Sequence, residues 1–316
     1  MTLFAIASNP VPEGAVSGHL TTDDAIRIRF ARWPALEGTQ RRGTVTLLSG
    51  RTEFIEKYFE VVRELRARGF AVAILDWRGQ GGSERLLRNP RKGHVASFAD
   101  YQRDLAVFAR EVLLPDCPAP HFALAHSMGG AIFLETVLAG HRWFDRAVLT
   151  APMVDLQVSR FAPVLYPTAK ILANLGFGGA FVPGGSSKAA SARAFDGNPV
   201  TSDPARYART AQIVDAHPEL GLGGPTIGWV NAAFACMQHL MAPETVRLIR
   251  QPLLMVAAGA DTVVSSAAIE HMAARLIAGA QVVVPASRHE ILMERDIFRA
   301  QFWAAFDAFI PGTASY

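Results

Sequence analysis

Three residues of this chain stand where their types and order would let them perform nucleophilic acyl chemistry. In Phe122-Ala123-Leu124-Ala125-His126-Ser127-Met128-Gly129-Gly130 an apolar run ends at a serine, and a helical pattern follows through Ile132, Phe133 and Val137. A strand that turns into a helix at a serine holds the hydroxyl above the sheet in a strained conformation and needs small neighbours, here Ala125, Gly129 and Gly130. A serine hydroxyl is a poor nucleophile near neutrality and requires a base that is itself oriented by a carboxylate. Asp261, in Gly259-Ala260-Asp261-Thr262-Val263-Val264, and His289, in Ser287-Arg288-His289-Glu290-Ile291-Leu292, each follow an apolar run, in the chain order serine, acid, histidine. Catalytic groups of open α/β sheets gather at the carboxyl ends of the strands, so three such loops can converge. Ser127 is therefore expected as nucleophile, His289 as general base and Asp261 as the acid that orients it.

Each assignment has a competitor. Asp155, after the run Ala147 to Thr150, is the rival acid, and Asp261 could serve only to cap a helix beginning near Ser265. His126 is expected to point elsewhere and not to be the base. His289 could be a capping or metal-binding histidine, but His289-Glu290-Ile291-Leu292-Met293 lacks the second histidine of a zinc-binding H-E-x-x-H helix. The tetrahedral intermediate of ester cleavage also needs two N–H donors. The backbone amides of Met128 and of Arg51, which follows Gly50 after an early strand, are the candidates. The side chains of Arg51 and Glu53 are expected to be solvated or paired with each other. The glycines of Asp76-Trp77-Arg78-Gly79-Gln80-Gly81-Gly82-Ser83 lack both the Gly-Lys-Ser/Thr of a phosphate loop and the last glycine of G-x-G-x-x-G, so this loop reads as structural.

These residues must be positioned by alternating elements. Apolar runs at Thr44 to Ser49, Ala71 to Leu75, Phe122 to His126, Ala147 to Thr150, Leu253 to Ala257 and Gln281 to Val284 predict buried strands. Apolar residues three or four apart predict helices over Glu56 to Arg68, Phe98 to Leu114 and Leu292 to Phe309. The alternation predicts an α/β fold with a mostly parallel sheet and helices on both faces. It fails from about Pro152 to Pro243, which is rich in Gly and Pro. We therefore expect a core in two parts, 1–151 and 244–316, with an inserted helical cap over 152–243. Apolar stretches of that cap, Phe161 through Phe181 and Trp229 through Met241, are expected to wall an acyl pocket, with Phe177, Phe181 and Trp229 touching the acyl chain.

Composition narrows the function further. Half of the 316 residues are hydrophobic and 19% are charged, which suits a folded domain and not a disordered one. A net charge of +3 without runs of like charge does not suggest nucleic acid. Cys117 and Cys236 have no metal-ligand spacing, and no metal or organic cofactor is implied. The apolar opening lacks a basic start and is cut by Asn9-Pro10-Val11-Pro12, and no stretch reaches a membrane span. A cytoplasmic protein is expected, with room for transient contact at the inner face of the membrane. Alternatives on the same site are an acyltransferase, a small-ester esterase or peroxidase-like member, and a non-catalytic lipid binder.

The chain also resembles the lysophospholipase and monoacylglycerol lipase branch of the α/β-hydrolases over nearly its whole length. The resemblance rests on Gly50-Arg51-Thr52-Glu53 with Lys57-Tyr58, the Asp76 to Ser83 loop, Gly93-His94 with Ser97-Phe98 and Asp104, and the elbow Ala125 to Gly130. Further on it includes Asn198 to Tyr207, Gly224-Pro225-Thr226-Ile227-Gly228-Trp229, Asp261 with Val263-Val264, and Ser287 to Asp296. It implies the α/β-hydrolase fold, the triad Ser127, Asp261 and His289, oxyanion amides from Met128 and Arg51, and a lipid-like ester substrate. Ser49, where many relatives carry histidine, and Ala125, where the elbow usually has glycine, depart from the family pattern.

Overall fold

The computed structural model describes residues 3–157, 162–190 and 194–310. Its centre is one eight-stranded sheet in the order β1-β2-β4-β3-β5-β6-β7-β8. The strands that the apolar runs predict are β3 (Thr44–Leu48), β4 (Ala71–Leu75), β5 (His121–His126), β6 (Arg146–Thr150), β7 (Leu253–Ala258) and β8 (Gly279–Val284). They are mutually parallel, and β3 to β7 are buried on both faces, which is why they read as continuous apolar runs; β8, expected to be buried, is the edge strand and is buried only at Val284. The pattern did not reveal β1 (Val16–Thr21) and β2 (Arg27–Trp33), an antiparallel pair that extends the sheet beyond β4. The arginines of β2 obscured it. Arg29 is buried there only because Glu56 and Asp76 meet its guanidinium at 2.7 and 2.6 Å.

Helices cover both faces. On one side α1 (Phe59–Ala67) and α10 (Asp296–Phe309) place Phe59, Val62, Leu65, Phe302 and Phe306 against Val45, Leu47, Val72 and Ile74. On the other lie α2 (Phe98–Phe108), which runs through a π-helical turn into the short α3 (Leu114–Asp116), then α4 (Met128–Leu138) and α9 (Ser266–Ala273). Ser97 starts α2 with a capping box closed by Asp100.

Between β6 and β7 the described residues form helices and turns: α5 (Ala162–Asn174), a 3₁₀ turn at Phe177–Gly179, α6 (Pro204–Ala216), α7 (Ile227–Met241) and α8 (Pro243–Val246). α7 is buried along much of its length against α4 and α2 and carries α5 on its outer side, where Tyr166 packs on Phe234 at 5.8 Å. Phe161 lies outside the described residues. No helix among the described residues is long and apolar enough to cross a membrane.

Candidate active site

β5 ends at His126 and α4 begins at Met128, which leaves Ser127 alone in the turn at φ 51° and ψ −116°. A side chain is strained in this region, and the surroundings over-determine it. The Ser127 amide donates to Thr150 O at 3.0 Å, and its carbonyl accepts from Gly130 and Met153, each at 3.0 Å. Strand and helix approach so closely that a Cβ on Gly129 would lie 2.2 Å from the Leu48 carbonyl oxygen. Ala125 is fully buried opposite Leu48, a place where its single methyl is accommodated.

Asp261 follows β7 and His289 follows β8, so both loops open at the same edge of the sheet as the Ser127 turn. His289 Nε2 lies 3.0 Å from Ser127 Oγ, and Nδ1 lies 2.8 Å from Asp261 Oδ2. An ionised carboxylate can only accept, so Nδ1 carries the proton and the Nε2 lone pair faces the serine hydroxyl. Burial alone would raise the Asp261 carboxyl, but the hydrogen bond and charge of His289 and the amides of Val263 and Val264 outweigh it and hold it below the usual range. Asp155 is elsewhere: its half-buried carboxyl accepts from the Leu156 amide, and burial raises it. The structure thus brings together the three residues singled out first and leaves the rival acid aside.

His126 is nearer than expected. Its ring packs 4.8 Å from that of His289, a correction to the expectation that it points elsewhere. Nδ1 is 3.1 Å from the Thr150 carbonyl, an acceptor, so it is protonated there, and burial pushes the group below the ordinary histidine range.

The turn after β3 is held from below. Glu53 accepts from the Gly50 amide and, at 2.7 Å, from the Tyr58 hydroxyl, and pairs with Lys57 at 2.8 Å. Burial opposes its ionisation, but Lys57 and the neighbouring donors hold the Glu53 carboxyl at about 2. Lys57 also pairs with Glu290 at 2.7 Å, which ties this turn to the residue after His289. Gln80 donates to the carbonyls of Gly50 and Glu53 at 2.8 and 3.1 Å, and Trp77 Nε1 donates to Ser49 O at 2.9 Å. Arg51 and Glu53 are therefore not partners of one another: Arg51 donates to Gly223 O at 2.7 Å and lies over the Trp229 ring. The Lys57 bridge escaped the sequence reading because nothing local marks which of several acids a lysine will meet. The Asp76 to Ser83 loop is structural, with Asp76 accepting from Ile55 N, Arg29 Nε and Gly82 N.

A cleft of about 390 Å³ opens over Ser127, walled on its apolar side by Met153, Leu156, Val200, Trp229, Val263 and Val264. Trp229 lines this cleft. Phe177 and Phe181, expected with it, do not: Phe177 is 55% exposed, and Phe181 lies against Lys92 Nζ at 5.1 Å, so neither lines the cleft. Their glycine-rich segment follows the exposed α5, outside the lining of the cleft over Ser127.

Residues 39–296 match the family described as serine aminopeptidase, S33. The chain is 31% identical over 287 residues to lysophospholipase L2 of Escherichia coli strain K12, covering 88% of this chain and 82% of that one. In fold it is similar to a soluble variant of monoglyceride lipase from Saccharomyces cerevisiae, with TM-score 0.75 at 18% identity over 98% of this chain and 97% of the other. A carboxyl esterase from Bacillus coagulans superposes with TM-score 0.76 at 19% identity, covering 95% and 98%.

Proposed function

The chain belongs to the serine aminopeptidase, S33, family of α/β-hydrolases and is a serine hydrolase of the esterase and lipase type, and from this premise we propose that it cleaves the single acyl ester of a lysophospholipid or monoacylglycerol through Ser127, His289 and Asp261. The observation that carries the reading is the relay Ser127 Oγ, His289 Nε2 and Nδ1, Asp261 Oδ2, at 3.0 and 2.8 Å, opening on an apolar-walled cleft. As Oγ attacks the ester carbonyl, its proton passes to His289 Nε2, and the imidazolium is stabilised by Asp261. The amides of Met128 and Arg51 receive the oxyanion. Collapse breaks the bond to the alcohol oxygen, which takes the proton from His289 and leaves an acyl-Ser127 ester. Water then attacks with His289 as base, and the fatty acid departs.

The same reading accounts for the outer face of the cap. Val164, Leu165, Ile171, Leu175 and Phe177 are all exposed along and just beyond α5. Lys170 on the same helix is exposed among them, and α5 carries no Asp or Glu. An apolar, cationic face suits transient contact with an anionic lipid surface, from which a monoacyl lipid would enter.

The test is labelling with a fluorophosphonate probe, followed by a panel of esters that share one alcohol and differ in acyl length, and then of long-chain esters that differ in head group. We expect Ser127→Ala to remove labelling and turnover together, and long-chain monoacyl lipids to exceed butyryl esters in kcat/KM. Turnover confined to short esters would sink the lipid reading, and retained labelling in Ser127→Ala would move the nucleophile elsewhere. Product analysis with added alcohol separates hydrolysis from acyl transfer.

A further inference from the structure

We propose that Arg85 and Arg91 bind a phosphate monoester in a second pocket, at the seam between core and cap, which shares no lining residue with the catalytic cleft and does not depend on the acyl-ester reading.

This pocket has a volume of about 480 Å³ and lies beside the Asp76 to Ser83 loop, with Phe4 and Pro218 in its apolar wall. Of its charged lining residues, Arg29 is committed to Glu56 and Asp76 at 2.7 and 2.6 Å. Glu219 is the one acid, and its exposed carboxylate lies 3.9 Å from His217 Nδ1. Arg85 and Arg91 form no ion pair with any described residue. Arg78, Arg206 and Arg299, by contrast, each meet at least two carboxylates.

The two guanidiniums are nevertheless placed by the fold. Arg85 Nη2 donates to Gly81 O of the core loop at 2.9 Å and to Glu219 O at 2.6 Å, in the 3₁₀ turn Pro218–Leu220 that follows α6. Its Nη1 is buried with no hydrogen-bond partner. Arg91 Nη1 is buried and unbonded as well, pressed on the backbone of Gly221, where a Cβ would come within 2.3 Å of it. A charged donor shielded from water without an acceptor is costly. Burial pushes the Arg85 guanidinium down to about 10; the charges of Arg91 and Arg29 add to this, and Asp76 opposes it. The fold thus gathers like charge here without the acids that accompany it elsewhere.

An anion in this pocket supplies the acceptors. Nothing bonds the Arg91 fork, so a small rotation of the side chain turns Nη1 toward it. A phosphate monoester fits best: it is close to a dianion at neutral pH, its oxygens match the guanidinium fork, and the room against Phe4 and Pro218 takes its organic part. Bound there, it would join the core loop to the turn that leads into Gly223, whose amide donates to Arg91 O at 2.8 Å and which lines the catalytic cleft.

The experiment follows the melting temperature of the full chain against glycerol 3-phosphate and inorganic phosphate, with sodium chloride holding the ionic strength constant. A saturable rise is expected, with slowed amide exchange over 218–223. Arg91→Met should weaken binding about tenfold or more. In chloride alone this variant should melt no lower than the parent and cleave a butyryl ester at the parent rate, because its guanidinium serves no contact within the fold. Arg85→Met should weaken binding to a similar extent but melt lower, since it also gives up the carbonyls of Gly81 and Glu219. Phosphatidylcholine vesicles doped with phosphatidate separate the sources: Arg91-dependent sedimentation with them, and no response to either soluble phosphate, keeps the site and makes its ligand a lipid head group. No Arg91-dependent response to any of the three overturns the proposal. So does an Arg91→Met variant that melts below the parent in chloride, which would mean that the guanidinium is used by the fold itself.

Discussion

The segment between β6 and β7 has two halves that treat the core in opposite ways. The later half is tied down by polar bonds: Thr201 Oγ1 donates to Met293 O at 2.7 Å, Ser202 Oγ to Glu294 at 2.5 Å, and Glu290 N to Val200 O at 2.8 Å. α6 adds Arg206 and Arg209, which share Glu60 of α1, and Arg206 reaches Asp296 of α10 at 2.7 Å. A few residues on, Gly223 and Thr226 donate to the carbonyls of Arg91 and Gly93. The earlier half has none of this weight on its outer side: α5 rests on α7 and turns Val164, Ile171 and Leu175 outward. The later half is bound to the core by ionic and backbone partners, whereas α5 in the earlier half is held by apolar packing along one face, with polar ties such as Lys92 Nζ to Gly179 O at 2.7 Å resuming only after it. The cleft over Ser127 is walled from the later half by Gly223, Gly224 and Trp229, while α5 lies outside it, so a firmly tied wall stands beside a lightly held outer helix.

The largest effects should arise beneath both halves. Asp261→Asn should lower turnover about ten thousandfold by favouring the wrong His289 tautomer, whereas Asp155→Asn should change it little. Steady-state kinetics on one ester decide this, and reversed results would make Asp155 the orienting acid.

The bound half can be loosened at Glu60. Burial would raise this carboxyl, but hydrogen bonds from Arg206 and Arg209 and the charge of Arg299 hold it at about 2. Its folded value is depressed, so its stabilisation is present above the ordinary glutamate range and is lost as pH falls from about 4.5 toward 2. Glu60→Gln should cost about 1–3 kcal/mol, because three arginines lose their shared anion. Thermal melts at neutral pH should show the loss, and the gap between variant and parent should narrow in acid. Hydrogen exchange should quicken in α6 and not in α5. If both helices quicken together, the segment is one unit and the comparison fails.

The smallest effect on the isolated protein should come from the lightly held helix. Ile171→Asp with Leu175→Asp should leave the free energy of unfolding within about 1 kcal/mol of the parent, since exposed sites away from special features rarely cost more. Sedimentation with anionic vesicles should weaken several-fold. Unchanged vesicle binding would mean that this face has no part in reaching lipid.

Much of the site was legible because its requirements are local. A nucleophile turn needs a buried run before the serine and small residues after it, and buried parallel strands need continuous apolar runs. Ser127, Asp261, His289 and six strands are marked by such features in the chain itself. Chain order and the strand-end rule then suffice to bring three loops to one edge.

What only the tertiary structure decided is which charges meet and which way the aromatics face. Arg29 in β2, Lys57 beneath the turn after β3 and Arg206 on α6 are each compensated by acids far away in the chain, so no local pattern distinguishes them from solvated surface charges. Phe177 and Trp229 are both large aromatics in cap segments, yet one is exposed and the other lines the cleft. That division depends on how α5 and α7 stack, and Ser127 to His289 at 3.0 Å depends on the registry of parallel strands. Hydrophobic pattern specifies that a residue is buried or that a turn is tight; partners and distances follow only once the chain has closed on itself.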